Sequence, residues 1–142
     1  MLPEIKAKQI RLTLAIFLAF SMAALAKDTK MVNKGPAPAA TGNIHTDNDD
    51  NGNTTLELKV SNLAAAQKLT PPAQCYVVWV QERGRAPMEL GTLKTNDDLS
   101  GKIDGTTPAK LFDVFITAEG QPNPESPRGP VVLSGHVDRT QS

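Results

Sequence analysis

A chain of 142 residues with a single cysteine allows one modest domain and excludes an internal disulfide framework. Basic and acidic residues balance at fifteen each, which leaves no basic footprint for nucleic acid and no polybasic patch for anionic lipid.

In chain order, Lys6, Lys8 and Arg11 precede an uncharged stretch, LTLAIFLAFSMAALA, from Leu12 to Ala26. It closes on Ala24-Leu25-Ala26, the small-x-small pattern that signal peptidase accepts, and polar KDTK follows at once. The pattern predicts a secretory signal over 1–26, with Lys27 as the first mature residue. The alternative is a membrane anchor formed by residues 12–26. Such a helix reaches only about 22 Å, against a hydrocarbon core of about 30 Å, which favours cleavage. Without the leader, twelve basic residues face fourteen acidic ones, a net charge of −2.

Residues 27–53 show no apolar periodicity. NKGPAPAATGN is rich in Gly, Pro and small side chains, and an Asn/Asp run follows it, so the segment is expected to be a disordered polar linker. From Thr54 the pattern changes. In TTLELKV, Leu56, Leu58 and Val60 share one face while Glu57, Lys59 and Ser61 share the other, as in a half-buried strand. NLAAAQKL (62–69) suits a turn or two of helix. CYVVWVQE (75–82) is apolar on both faces, which predicts a central strand covered on both sides. MELGTL (88–93) and LSGKID (99–104) are more polar and fit edge strands, with TNDD (95–98) as turn chemistry between them. LFDVFITA (111–118) turns Phe112, Val114 and Ile116 inward, and PVVLSGHV (130–137) supplies the last strand, with Pro130 at its start. Mature-chain prolines fall in the linker, between these runs or at a strand start. The expectation is an all-β chain: a small antiparallel β-sandwich, immunoglobulin-like, of about six to seven strands over 54–142.

YVVWVQERGRAPMELGTL, then FDVFITAE, then SPRGPVVLSG resembles the extracytoplasmic C-terminal domain of anti-sigma-K factors over roughly Thr54 to Val137. There a Y-x-V-W strand, an L-G-x-L strand, an F-x-x-F-x-I/V-T strand with E, and a P-x-G-P-V-V-L ending recur in the same order. The resemblance implies an exported bacterial β-sandwich at the receiving end of a signal. Full anti-sigma factors also carry a cytoplasmic sigma-binding domain and a transmembrane helix. Here five residues precede Lys6, so the outer domain alone is expected, exported as a free-standing protein.

The chemistry-bearing residues are few. Asp47, Asp49, Asn51 and Gly52 match the first half of a calcium loop, but its twelfth position is Leu58, and the glutamate stands one place early at Glu57. In a strand that shift turns the carboxylate to the opposite face. The run therefore reads as a polar hinge, with a weak calcium contact at about 0.1–1 mM as the alternative. Cys75 has only His45 and His136 as distant candidate bases, so it reads as a buried small hydrophobe, with an intermolecular disulfide as the alternative. His136 has no ligand-spaced His, Cys or carboxylate in the sequence, and no G-x-S-x-G is present. Asp97 and Asp98 belong to a turn. Asn53-Thr54-Thr55 matches a glycosylation sequon, irrelevant in a bacterial protein. Trp79 reads as a core aromatic or, alternatively, a ligand platform.

QERGRAP (81–87) exposes Arg83 and Arg85 around a glycine, as a recognition loop or a solvated hairpin tip. The residues point to a non-enzymatic interaction or signalling module of the periplasm or cell exterior. No metal or other cofactor is implied. The partner would be a protein or other cell-envelope component, and membrane contact arises only if the leader is retained. The alternative is a secreted, weakly calcium-binding or matrix-type structural protein.

Overall fold

Alternating side chains set the strand faces. In β4 (Thr54–Ser61), Leu56, Leu58 and Val60 are buried while Lys59 and Ser61 are exposed. The computed structural model describes residues 26–141; apart from Ala26, the expected leader lies outside the described residues. The remaining strands are β1 (Lys27–Lys30), β2 (Val32–Asn33), β3 (Thr41–Asn48), β5 (Cys75–Glu82), β6 (Met88–Leu93), β7 (Gly101–Thr107), β8 (Leu111–Glu119) and β9 (Val131–Asp138). One 3-10 turn, Ala66–Lys68, lies within the stretch expected to turn helically.

The strands form two antiparallel sheets, ordered β1-β3-β4-β7 and β2-β9-β8-β5-β6. This is the antiparallel β-sandwich expected. β6 and β7 are sheet edges, as their polarity predicted, and β5 is internal. The core between the sheets is built from Leu56, Leu58 and Val60 on one side and Tyr76, Val78, Phe112, Val114, Ile116, Leu133 and Val137 on the other. Burying each larger aliphatic side chain contributes about 1.5–3 kcal/mol.

The main correction falls on 27–53, which is not a linker. β3 pairs with β4 along its whole length, from Thr41 opposite Ser61 to Asn48 opposite Thr54. Residues 27–33 form a split edge: β1 pairs with β3 in one sheet and β2 with β9 in the other. Met31 marks the crossing, with its N–H donating to Gly42 O at 2.9 Å. Its side chain occupies the space that glycine leaves open, since a Cβ at Gly42 would lie 2.7 Å from Met31 Sδ. The inward positions of β3 are Gly42, Ile44 and Thr46, so a single large apolar residue stands for the whole strand. Periodicity was absent because β4 and β9 supply the apolar partners. Among the described residues the sandwich thus has nine strands rather than six or seven.

β5 is covered on both faces. Tyr76, Val78 and Val80 join the inter-sheet core, while Val77 and Trp79, on the opposite face, are also buried. There Trp79 stacks on Phe115, with ring centroids 6.5 Å apart, and its Nε1–H donates to Thr117 Oγ1 at 2.9 Å. At the root of the β8–β9 connection, buried Glu119 accepts hydrogen bonds from the main-chain N–H groups of Arg128 and Gly129, at 3.1–3.3 Å. Its own carbonyl accepts from Gln74 N at 2.9 Å.

Register gathers one set of loops at one end of the sandwich. Lys27 lies opposite Thr46, Asn48 opposite Thr54, Thr54 opposite Thr107, Glu82 opposite Phe112, and Leu111 opposite Asp138. The start of β1, the 49–53 turn, the 83–87 hairpin, Lys110 and the residues after β9 therefore share that end.

Candidate functional site

The β3–β4 turn organises itself around Asp49. Its Oδ1 accepts from the N–H groups of Asn51 and Asn53 at 2.9 and 2.8 Å, and its Oδ2 from Asn53 Nδ2 at 3.1 Å. The Asn53 main-chain N–H above all, then the Asn53 side chain, the Asn51 N–H and nearby Lys110, hold this carboxyl below its ordinary range. Asp47 Oδ1 is likewise engaged, by the N–H of Asn48 at 2.8 Å.

A cation already sits against the turn, and it belongs to the chain. Lys110 Nζ donates to Gly52 O at 2.7 Å, Asn48 Oδ1 at 3.2 Å and Thr54 Oγ1 at 3.5 Å. Among the described residues no three His, Cys, Asp or Glu side chains are grouped to hold a metal ion. Asp47, near the end of β3, and Asp49 and Asn51, in the turn after it, thus flank a loop against which an ammonium group is bound. Replacing Lys110 with Met is expected to cost about 1–2 kcal/mol in urea unfolding, the scale of hydrogen bonds to a partly exposed charge. Millimolar calcium should shift the wild-type midpoint by less than that. A calcium shift as large as the Lys110→Met effect would favour the weak calcium contact over the polar hinge.

Cys75 is half-buried rather than buried, at the head of β5. Burial, then the charges of Glu119 and Glu89, push its thiol upward, so the protonated, weakly nucleophilic form is favoured. Asp98 caps its turn, accepting from Ser100 Oγ at 2.7 Å. His45, expected in a linker, stands on β3 with Nδ1 2.8 Å from Asp28 Oδ1. On the same outer face Glu57 lies between Lys59 and Lys102, at 3.2 and 3.1 Å. These exposed pairs are worth little and leave a solvated polar face.

The arginine hairpin has the most distinctive surroundings. Gly84 takes φ +77°, a turn conformation that favours glycine, and Arg85 N donates to Glu82 O at 3.1 Å. Gln81 Nε2 holds Arg85 O at 2.9 Å, and Arg85 Nε lies 3.6 Å from Glu82 Oε2. Arg83 is exposed and makes no ion pair among the described residues. An open groove of about 420 Å³ runs from this hairpin to the start of β8, with Asp113 and His136 on its far wall. His136 Nδ1 lies 2.7 Å from Asp113 Oδ1, an N–H donating to a carboxylate. The sequence offered His136 no partner. The carboxylate stands 23 residues away on the neighbouring strand, and its only signal was Asp113 facing outward in the alternation of β8.

The structure brings Arg83, Gln81, Asp113 and His136 to one groove; the 49–53 turn lies at the same end of the sandwich but outside that groove, and Cys75 lies at the other end of β5. No protein-family model matches the chain, and no curated protein matches it.

Proposed function

We propose that this protein is an exported, non-enzymatic β-sandwich that acts by interaction, as an envelope or signalling module of the kind that the anti-sigma-K resemblance implies. The observation that carries this reading is the exposed Arg83–Arg85 hairpin beside an open groove with a charged far wall. The residues of the resembling motifs are mainly core: Tyr76, Val78 and Trp79 in β5, Phe112 and Ile116 in β8, Val132 and Leu133 in β9. They account for folding, and the hairpin arginines are left for recognition. Guanidinium groups suit that role because their planar donor forks pair with carboxylates in two-point contacts.

The same reading requires removal of the leader. Lys27 and the hairpin share one end of the sandwich, and a retained anchor would press that end, without a spacer, against the headgroups.

Affinity capture from envelope extracts tests the proposal, comparing wild type with the Arg83→Ala/Arg85→Ala double variant. The variant should melt within about 0.5 kcal/mol of wild type, because both side chains are exposed. A partner retained by wild type and lost by the variant is expected. Retention of the same partner by both proteins would remove the hairpin from the interface.

A further inference from the structure

We infer that folding of the domain shields the Ala26–Lys27 bond from cleavage, because the residues immediately after it are built into the sandwich. The inference rests on the export reading. β1 begins at Lys27 itself, and its four residues pair with Thr46, His45, Ile44 and Asn43. Side chains reinforce the pairing. Lys27 Nζ donates to Asp138 O at 2.8 Å, Lys27 O accepts from Thr46 Oγ1 at 3.3 Å, and Asp28 Oδ1 holds His45 Nδ1 at 2.8 Å. Beyond β1 the chain is fixed again at once, by Met31 N to Gly42 O at 2.9 Å and Lys34 N to Val132 O at 2.8 Å.

Cleavage adds water across the amide, leaving a carboxylate on Ala26 and an amine on Lys27. A protease that performs it binds the chain as an extended segment through main-chain hydrogen bonds, as any added strand is bound. Along β1 every second residue turns its main-chain N–H and C=O to β3, so half of the groups an enzyme would engage are committed while the strand is paired. Each cut of the folded precursor must wait for β1 to open. That opening slows the reaction about tenfold or more, the scale of one or two net main-chain hydrogen bonds. Processing is therefore faster before the sandwich closes than after it.

The test uses the full-length chain, folded in detergent micelles and incubated with a bacterial signal peptidase, with intact mass read over time. A second full-length chain carries a flexible spacer of about six serine and glycine residues between Ala26 and Lys27. The two should melt alike, and the spacer form should be cut about tenfold faster or more. Equal rates would overturn the inference while leaving export standing. No cleavage of either form would overturn it together with the leader reading.

Discussion

A chain that begins at Thr54, where apolar periodicity starts, is expected not to fold, whereas one that begins at Lys27 is expected to unfold in a single cooperative transition. The shorter chain lacks β1, β2 and β3, so β4 loses the partner it pairs with from Thr54 to Ser61, and β9 loses its edge. It also loses buried Ile44, Ala37, Ala40 and Thr46, together with Met31 packed against the core. Removing Ile44 and Met31 and uncovering Leu58 and Leu133 sums to a loss of up to about 6–12 kcal/mol at about 1.5–3 kcal/mol per large side chain. Domains of this kind have about 5–15 kcal/mol in all. Trp79 near-UV circular dichroism and urea titration read the outcome. A sharp unfolding transition in the 54–142 chain would show that residues 27–53 are dispensable after all.

That segment also marks where the sequence stopped being legible. From Thr54 onward each strand carries its own alternation, and all six expected strands occur within a few residues of their expected bounds. Before Thr54, information about the fold is held by other parts of the chain. The Pro-Ala stretch resembles a linker because alanine buries little area, yet Ala37 and Ala40 are both buried. Asn33 organises that loop, with Nδ2 donating to Ala37 O at 2.8 Å and Ala40 O at 3.0 Å, while its Oδ1 accepts from Gly35 N at 2.8 Å. A single amide side chain thus replaces the hydrophobic pattern that prediction relies on.

The candidate site was legible only in part for a related reason. Arg83 and Arg85 flank a glycine, a local signal for an exposed turn, and the structure places them in one. His136 with Asp113, and Lys110 with Asn48, are pairs made by strand register across 23 and 62 residues. Neither pairing can be read until it is known which strands are neighbours. The Lys110 contact also adds to the meaning of the aspartates: as a sequence they read as a polar hinge or a weak calcium contact, and in the fold a lysine sits against the turn.

Replacing Trp79 is the sharpest single-residue test of how the five-stranded sheet is held. Trp79→Ala should cost about 3–5 kcal/mol, since it empties a large buried volume and removes the stack with Phe115. Trp79→Phe should cost less, about 1–3 kcal/mol, chiefly because the Thr117 hydroxyl loses its indole donor inside the protein. The order matters more than either value. Trp79 is 0% exposed although it points away from the inter-sheet core, so that outer face is a second packed layer. If Trp79 served instead as a platform for a ligand, both substitutions would leave the urea midpoint near that of wild type and change only binding. Its fluorescence offers an independent check: as the only tryptophan of the chain it should emit as a buried indole and resist quenching by iodide. An emission shifted to the red and readily quenched would mean that the outer layer opens in solution, which would make this face available to a partner and shift recognition away from the arginine hairpin.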